Sequence, residues 1–451
     1  MYRMIEPTLK KWKEDVHRLP IILRGARQVG KSFTIEKFGR ENFESLVVCN
    51  FEFRPDLVSC FENLDPMIIC AQLEVAFKQR IVPGHTLLFL DEIQNCPAAI
   101  KALRYFKEKL PALHVMAAGS LLEFVLHEEK FSFPVGRVQF LYLRPLSFYE
   151  YLINQNHHRL LEMLSVASLE YPIEPFVHEQ LLLLLREYFL IGGMPSVVSS
   201  FLEKRSFLEC QILLSGLLET YRSDFPKYAT KTAIKYLQMC FEKVPGLICQ
   251  HFKYTHISSE YRSQDLKMAL EQLGWAGLLQ KVLSTNASGL PLQIHAKDNQ
   301  FKLLFLDGGL VNCANKLDLQ LAHEMDLMQI NSGAQAEQFV GQELLAYSES
   351  YIQTQLYYWN RDKKGSLAEV DYVIQSGSSI LPIEVKAGTT GSLKSLNQFL
   401  LEKEALFGIR ISAHPLSFHG RILSVPLYLI RDLPRLIAEA INLTQNKIKK
   451  E

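Results

Sequence analysis

Two sets of residues in this chain are of the right type and spacing for chemistry. The first is GARQVGKS, Gly25 to Ser32, which directly follows the apolar run from Pro20 and precedes the helical-looking FTIEKFGREN. The spacing G-x-x-x-x-G-K-[ST] between a strand and a helix is that of a loop that wraps phosphates. Backbone N–H groups of Gly25, Ala26, Arg27, Gln28, Val29 and Gly30 would surround the anion, Lys31 would reach its outer oxygens, and the Ser32 hydroxyl would ligate Mg2+. The second set lies near the other end: Glu337, Glu369, Asp371, Glu384 and Lys386. In IEVKAG, Ile383 to Gly388, strand alternation puts Glu384 and Lys386 on one face and Ile383 and Val385 on the other. That arrangement suits a salt-bridged edge strand whose lysine discourages aggregation. It equally suits a site where hard oxygens take Mg2+ or Mn2+ beside a lysine.

Each set needs elements to hold it. For the first, SLVVCNFE and HTLLFLDEIQN read as two further strands, the latter delivering Asp91 and Glu92 at its end. Asp91 fits the magnesium side of a nucleotide site, and Glu92 fits the general base that polarises water. HVMAAGS is another buried strand, and its Ser120 either bonds the γ-phosphate or the attacking water, or caps the helix that follows. Beyond it, Arg137, next to the turn-forming Gly136, either stabilises transferred charge or makes an inter-domain salt bridge. Strands alternating with helices favour a mostly parallel sheet with the nucleotide at the strand C-terminal ends. NKLD, Asn315 to Asp318, mimics a guanine-reading tetrad but lies far downstream of the loop. ATP is therefore the expected nucleotide.

For the second set, AQAEQFVGQELLAYSE is a helix that carries Glu337. YYWNRDKKGSLAEVDYVIQ is two strands joined at DKKG, with Glu369 and Asp371 on a common face, and SLKSLNQFLLEKEA is a closing helix. Asp371 and Glu384 on neighbouring strands would hold the metal, Glu337 would complete its shell, and Lys386 would position or deprotonate water near a phosphodiester.

Between the two sets the pattern is helical, broken at GGMP, Gly192 to Pro195, where a turn is required. The helix around Gln264 to Gln272 followed by paired strands suggests a winged helix that contacts either DNA or protein. Its Asp265 and Glu271 against a single Lys267 neutralise phosphate poorly, which favours protein. The chain has 451 residues, 48% hydrophobic and 22% charged, with a net charge of +1. No global field recruits nucleic acid or an anionic membrane. The richest apolar run, LLLLLREYFLIGG, is interrupted by Arg186 and Glu187, so a cytoplasmic protein without membrane contact is expected. Eight scattered cysteines make neither a disulfide framework nor a zinc site.

The ordered set GARQVGKS, LLFLDEIQ, AAGS, GRVQFLYLRPLSFYEY, YFLIGGMPSVV, LLFLDGGL, AEVDYVI and LPIEVKAG resembles the bacterial and archaeal AAA-type (AAA_14-like) ATPases that end in a DUF4143 domain. That resemblance spans nearly the whole chain. It implies a C-terminal domain similar to the PD-(D/E)xK nuclease fold, with Glu337, Asp371, Glu384 and Lys386 in the nuclease positions. The proline of that fold's name is replaced here by Val370. The expected architecture is α/β: a P-loop NTPase parallel sheet over 1–155, a helical and winged-helix middle over 156–325, a small restriction-endonuclease-like α/β domain over 326–435, and a basic tail over 436–451. The expected activity is Mg2+-dependent ATP hydrolysis that drives or gates the nuclease-like domain. The alternative is an ATP-switched module whose last domain binds without cutting. DNA or RNA, a protein partner and a second copy of the chain are the partners such a protein would meet.

Overall fold

The computed structural model describes residues 1–126, 136–319, 332–361, 368–388 and 392–448. The chain forms two compact units. The first comprises Met1–Pro145, Glu271–Leu278 and Glu349–Gln353; the second comprises Leu146–Leu270, Leu279–Ser348 and Thr354–Glu451.

The first unit is built on five strands, β1 (Ile21–Arg24), β2 (Ser45–Asn50), β3 (Thr86–Asp91), β4 (His114–Ala118) and β5 (Gln139–Tyr142). Their order is β2-β3-β4-β1-β5 and every pairing is parallel. Strands covered on both faces must be apolar throughout, and every residue of β3 and β4 is buried. The helix Pro97–Lys109 shows the complementary pattern: Ala99, Ile100, Leu103 and Phe106 recur at helical spacing and all are buried. They join Ile22, Val47, Leu88 and Leu90 in one core. Because the strands run the same way, the ends of β1 and β3 emerge at the same edge of the sheet. The phosphate-type loop and the acid pair are thereby delivered together.

The second unit begins with helices, among them Phe148–Asn154, Pro175–Ile191, Pro195–Lys204 and Phe207–Asp224. The GGMP break ends the helix Pro175–Ile191. Gly192 has φ +74°, and a side chain there would press against the buried Asp307 carboxylate. Eight strands follow: β6 (Leu279–Thr285), β7 (Ala296–Phe305), β8 (Leu356–Asn360), β9 (Glu369–Ser376), β10 (Ser379–Val385), β11 (Gly408–Ser412), β12 (Ser417–His419) and β13 (Ile422–Pro426). They make one sheet in the order β12-β13-β11-β10-β9-β8-β6-β7. The helix Lys394–Glu402 packs Leu396, Phe399 and Leu400 against Trp359, Val370 and Val373. The helix Ser332–Ala346 lies close enough to the sheet that Gly341 leaves room only for the Tyr372 hydroxyl and Leu304.

Two expectations are corrected. The hairpin β6–β7 is not a free wing, because the other edge of β6 pairs with β8 in parallel register. The second compact unit takes strands from both sides of residue 325. The segment Glu271–Leu278, which includes the last turns of the helix Ser263–Trp275, clusters with the first unit. Finally, the stretch expected as a basic tail from 436 lies in a helix, Leu433–Ile448, that buries Leu436, Ile437 and Ala440. Amphipathic spacing decided that element; Lys449 and Lys450 lie outside the described residues. The DKKG turn lies outside them too.

Candidate nucleotide site and C-terminal ion cluster

The loop from Gly25 to Ser32 takes a shape that only certain residues allow. Gly25 (φ +149°), Gln28 (φ +67°) and Gly30 (φ +92°) have positive φ, and a β-carbon on Gly25 would lie 2.2 Å from the Leu143 carbonyl oxygen. Gly30 opens the helix Lys31–Asn42 without a side-chain cap. The first-turn N–H groups of that helix therefore have no side-chain acceptor at the cap, which is the ordinary arrangement for anion capture. Lys31 is buried, and its ammonium donates to the carbonyls of Gly25 at 2.9 Å and Ala26 at 2.8 Å. Burial pushes its pKa down to about 8, against the attraction of Glu92 and Asp91.

The Ser32 hydroxyl donates to Asp91 Oδ1 at 2.8 Å, and Asn50 donates to Asp91 Oδ2 at 2.9 Å. Asp91 is buried, and that burial raises its pKa. Glu92 stands in the left-handed region at φ +50°. Its Oε2 accepts from Gln94 Nε2 at 2.6 Å and from the Ser120 hydroxyl at 3.4 Å. Ser120 is thus placed beside the acid pair. Arg137 is not: its Nε donates at 3.0 Å to Glu108, in a pair exposed to solvent.

Sequence reasoning missed Asn50, Gln94 and Gly277. Asn50 is readable as the end of a strand that neighbours the acid strand, since it pairs with Asp91 in the β2–β3 register. Gln94 carries no signal until Gly119 is seen to leave it room, a β-carbon there falling 2.1 Å from Gln94 Oε1. Gly277, at φ +75°, comes so near the loop that its β-carbon would sit 3.1 Å from the Ala26 nitrogen.

The second set of residues meets around a lysine that the sequence did not single out. Lys302 lies on β7 and is 1% exposed. Its ammonium lies 2.7 Å from Glu337 Oε1, 2.5 Å from Glu369 Oε1 and 3.8 Å from Asp371 Oδ1, over the Tyr358 ring at 5.2 Å. Burial opposes its charge, yet the three carboxylates prevail and raise its pKa. Glu369 also pairs with His251, whose Nδ1 meets the Tyr358 hydroxyl at 3.0 Å. Asp371 Oδ2 accepts the Val385 N–H at 2.7 Å. Lys386 donates to Glu384 Oε1 at 2.7 Å, while the buried Glu384 Oε2 has no hydrogen-bond partner among the described residues. Burial, with Asp371 nearby, lifts Glu384 to about 7.

Glu337, Asp371 and Glu384 were expected to share one metal; they are divided instead between Lys302 and Lys386. Among the described residues no group of three or more His, Cys, Asp or Glu side chains is arranged to hold a metal ion. The residues at this locus therefore do not fit the metal. The reason is physical: an ammonium already lies within hydrogen-bond distance of two of the acids and within ion-pair distance of a third. All eight cysteines are free thiols, six of them buried.

Residues 17–152 match the family model described as an AAA domain. Residues 182–321 match a domain of unknown function, DUF8612, and residues 332–429 another, DUF4143. No curated protein matches the chain. Among solved structures, the Walker-type ATPase paby2304 of Pyrococcus abyssi is 15% identical, with 70% of this chain and 96% of that one covered and a TM-score of 0.43. The Aeropyrum pernix ORC1 protein in complex with DNA is 13% identical, with 72% and 95% covered and a TM-score of 0.30. The STAND protein PH0952 of Pyrococcus horikoshii is 11% identical, with 75% and 47% covered and a TM-score of 0.25. No helix of the described residues is long and apolar enough to cross a membrane. The chain carries an N-terminal AAA-type P-loop ATPase domain and a C-terminal DUF4143 domain.

Proposed function

We propose that this chain binds ATP with Mg2+ at Gly25–Ser32, hydrolyses it, and uses the nucleotide state to control what its second unit contacts. The observation that carries this reading is the Ser32–Asp91 hydrogen bond of 2.8 Å, with Glu92 one residue on and held by Gln94 and Ser120. A hydroxyl and a carboxylate joined in that way are a pair of hard oxygens prepared for Mg2+, which when bound supplies charge neutralisation on phosphate oxygens. Lys31 exchanges two neutral carbonyls for anionic oxygens, a stronger partner for an ammonium. Glu92 takes the proton of the attacking water, and Ser120 orients its carboxylate. In calorimetry, Lys31→Ala is expected to bind ATP roughly a hundredfold more weakly. Glu92→Gln keeps binding and slows phosphate release. Unchanged affinity without Lys31 would sink the assignment.

A second reading adds cleavage of DNA or RNA by the C-terminal domain. What supports it is Lys386 beside Glu384 with Asp371 on the neighbouring strand. It runs against the Lys302 ion pairs, since a metal would have to displace that ammonium, and it requires Mg2+- or Mn2+-dependent nicking that vanishes in folded Asp371→Ala and Lys386→Ala proteins. Without cleavage, the domain serves contact, and ATP then changes partner affinity or assembly of copies in the wild type but not in Lys31→Ala.

A further inference from the structure

We propose that the Lys302 ammonium is the resident cation of the C-terminal carboxylate cluster, occupying the locus that a divalent metal would otherwise take. This goes beyond the ATPase reading and stands or falls without it. Lysine is among the residues least often buried, and a buried ammonium is tolerated only when fully paired. Lys302 is 1% exposed and sits in the apolar strand segment FKLLF. Its surroundings are those of a bound ion: carboxylate oxygens at 2.7 Å and 2.5 Å, a third at 3.8 Å, and an aromatic face beneath. A metal ion needs those same oxygens and would face the ammonium at less than two bond lengths, so the two cations exclude one another.

A second observation shows that the locus retains capacity for a cation. Glu384 Oε2 is buried and has no hydrogen-bond partner among the described residues, although Glu384 lies next to Val385, whose N–H holds Asp371. Four carboxylates thus converge from the helix Ser332–Ala346, β9 and β10, and Lys302 engages three of them. Removing the Lys302 ammonium leaves a set of hard oxygens of the kind that takes Mn2+. The domain is accordingly built with its own cation, and its fold is independent of metal.

The test uses the full-length, nucleotide-free protein and Mn2+ alone, with free Mn2+ followed by electron paramagnetic resonance and thermal melting recorded in parallel. Wild type is expected to show no saturable site at Asp371 below about 1 mM and the same melting temperature with Mn2+ or a chelator. Lys302→Ala is expected to gain one Mn2+ site at least roughly tenfold tighter than any in wild type, with Mn2+ raising its melting temperature. Adding Asp371→Asn should abolish the gain. Should Lys302→Ala not fold, Lys302→Ala with Glu369→Gln lowers the unpaired charge and is read the same way. Saturable micromolar Mn2+ binding by wild type that Asp371→Asn removes would overturn the proposal. So would folded Lys302 variants that gain no site.

Discussion

Among the described residues each unit holds one buried lysine, Lys31 in the first and Lys302 in the second, and the two are held in opposite ways. Lys31 rests on two backbone carbonyls, and burial drags its pKa down to about 8. Lys302 rests among three carboxylates that raise its pKa despite deeper burial. A buried charge whose hydrogen bonds go to neutral acceptors is under-compensated in a low-dielectric setting even with carboxylates nearby, so a phosphate improves its situation. A charge that is already matched by anions has nothing to gain from a ligand, and its removal strands the anions. The contrast separates a lysine that waits for a substrate from one that is part of the structure. Only their neighbours in the fold tell the two apart.

The comparison is broken most severely at Lys302. Lys302→Ala leaves buried carboxylates unpaired and is expected to lower the unfolding free energy by about 3–5 kcal/mol, as read by urea denaturation. A loss within error would mean that the network contributes nothing. Next in size is the pH response of Glu384, whose folded pKa is raised from 4.5 to about 7 by burial and Asp371. The folded protein then holds a proton that the unfolded chain releases, so stability falls as pH rises from 4.5 to about 7. Glu384→Gln cannot titrate, and its stability relative to wild type should climb by up to about 3 kcal/mol across that window. A parallel pH profile for the two proteins would refute this.

Lys31→Ala sharpens the contrast from the other side. ATP affinity should drop by roughly a hundredfold, about 2.8 kcal/mol, while unfolding stability changes by less than about 1 kcal/mol, because only carbonyls lose a partner. Equal stability losses at the two lysines would erase the distinction. The smallest effect belongs to Arg137→Ala, which breaks only the exposed pair with Glu108. Melting temperature and ATP turnover should both stay at wild-type values, and a large fall in turnover would restore Arg137 to a charge-stabilising role.

What the sequence by itself determined is the local part of this protein. GARQVGKS between a strand and a helix, and an apolar run ending in Asp91-Glu92, are contiguous patterns. Parallel pairing then brings β1 and β3 out at one sheet edge. The Glu384–Lys386 pair was likewise legible, since two residues on one strand share a face. The tertiary structure alone decided which acids Lys302 would meet. In the sequence Lys302 is one charge in the strand AKDNQFKLLF, and nothing in that strand distinguishes it from a solvated lysine. Its partners Glu337, Glu369 and Asp371 come from a helix and a strand, and they reach it only because β6 pairs with both β7 and β8 and joins the hairpin to the C-terminal sheet. Short-range patterns follow from backbone geometry, whereas charge compensation follows from which distant segments pack together.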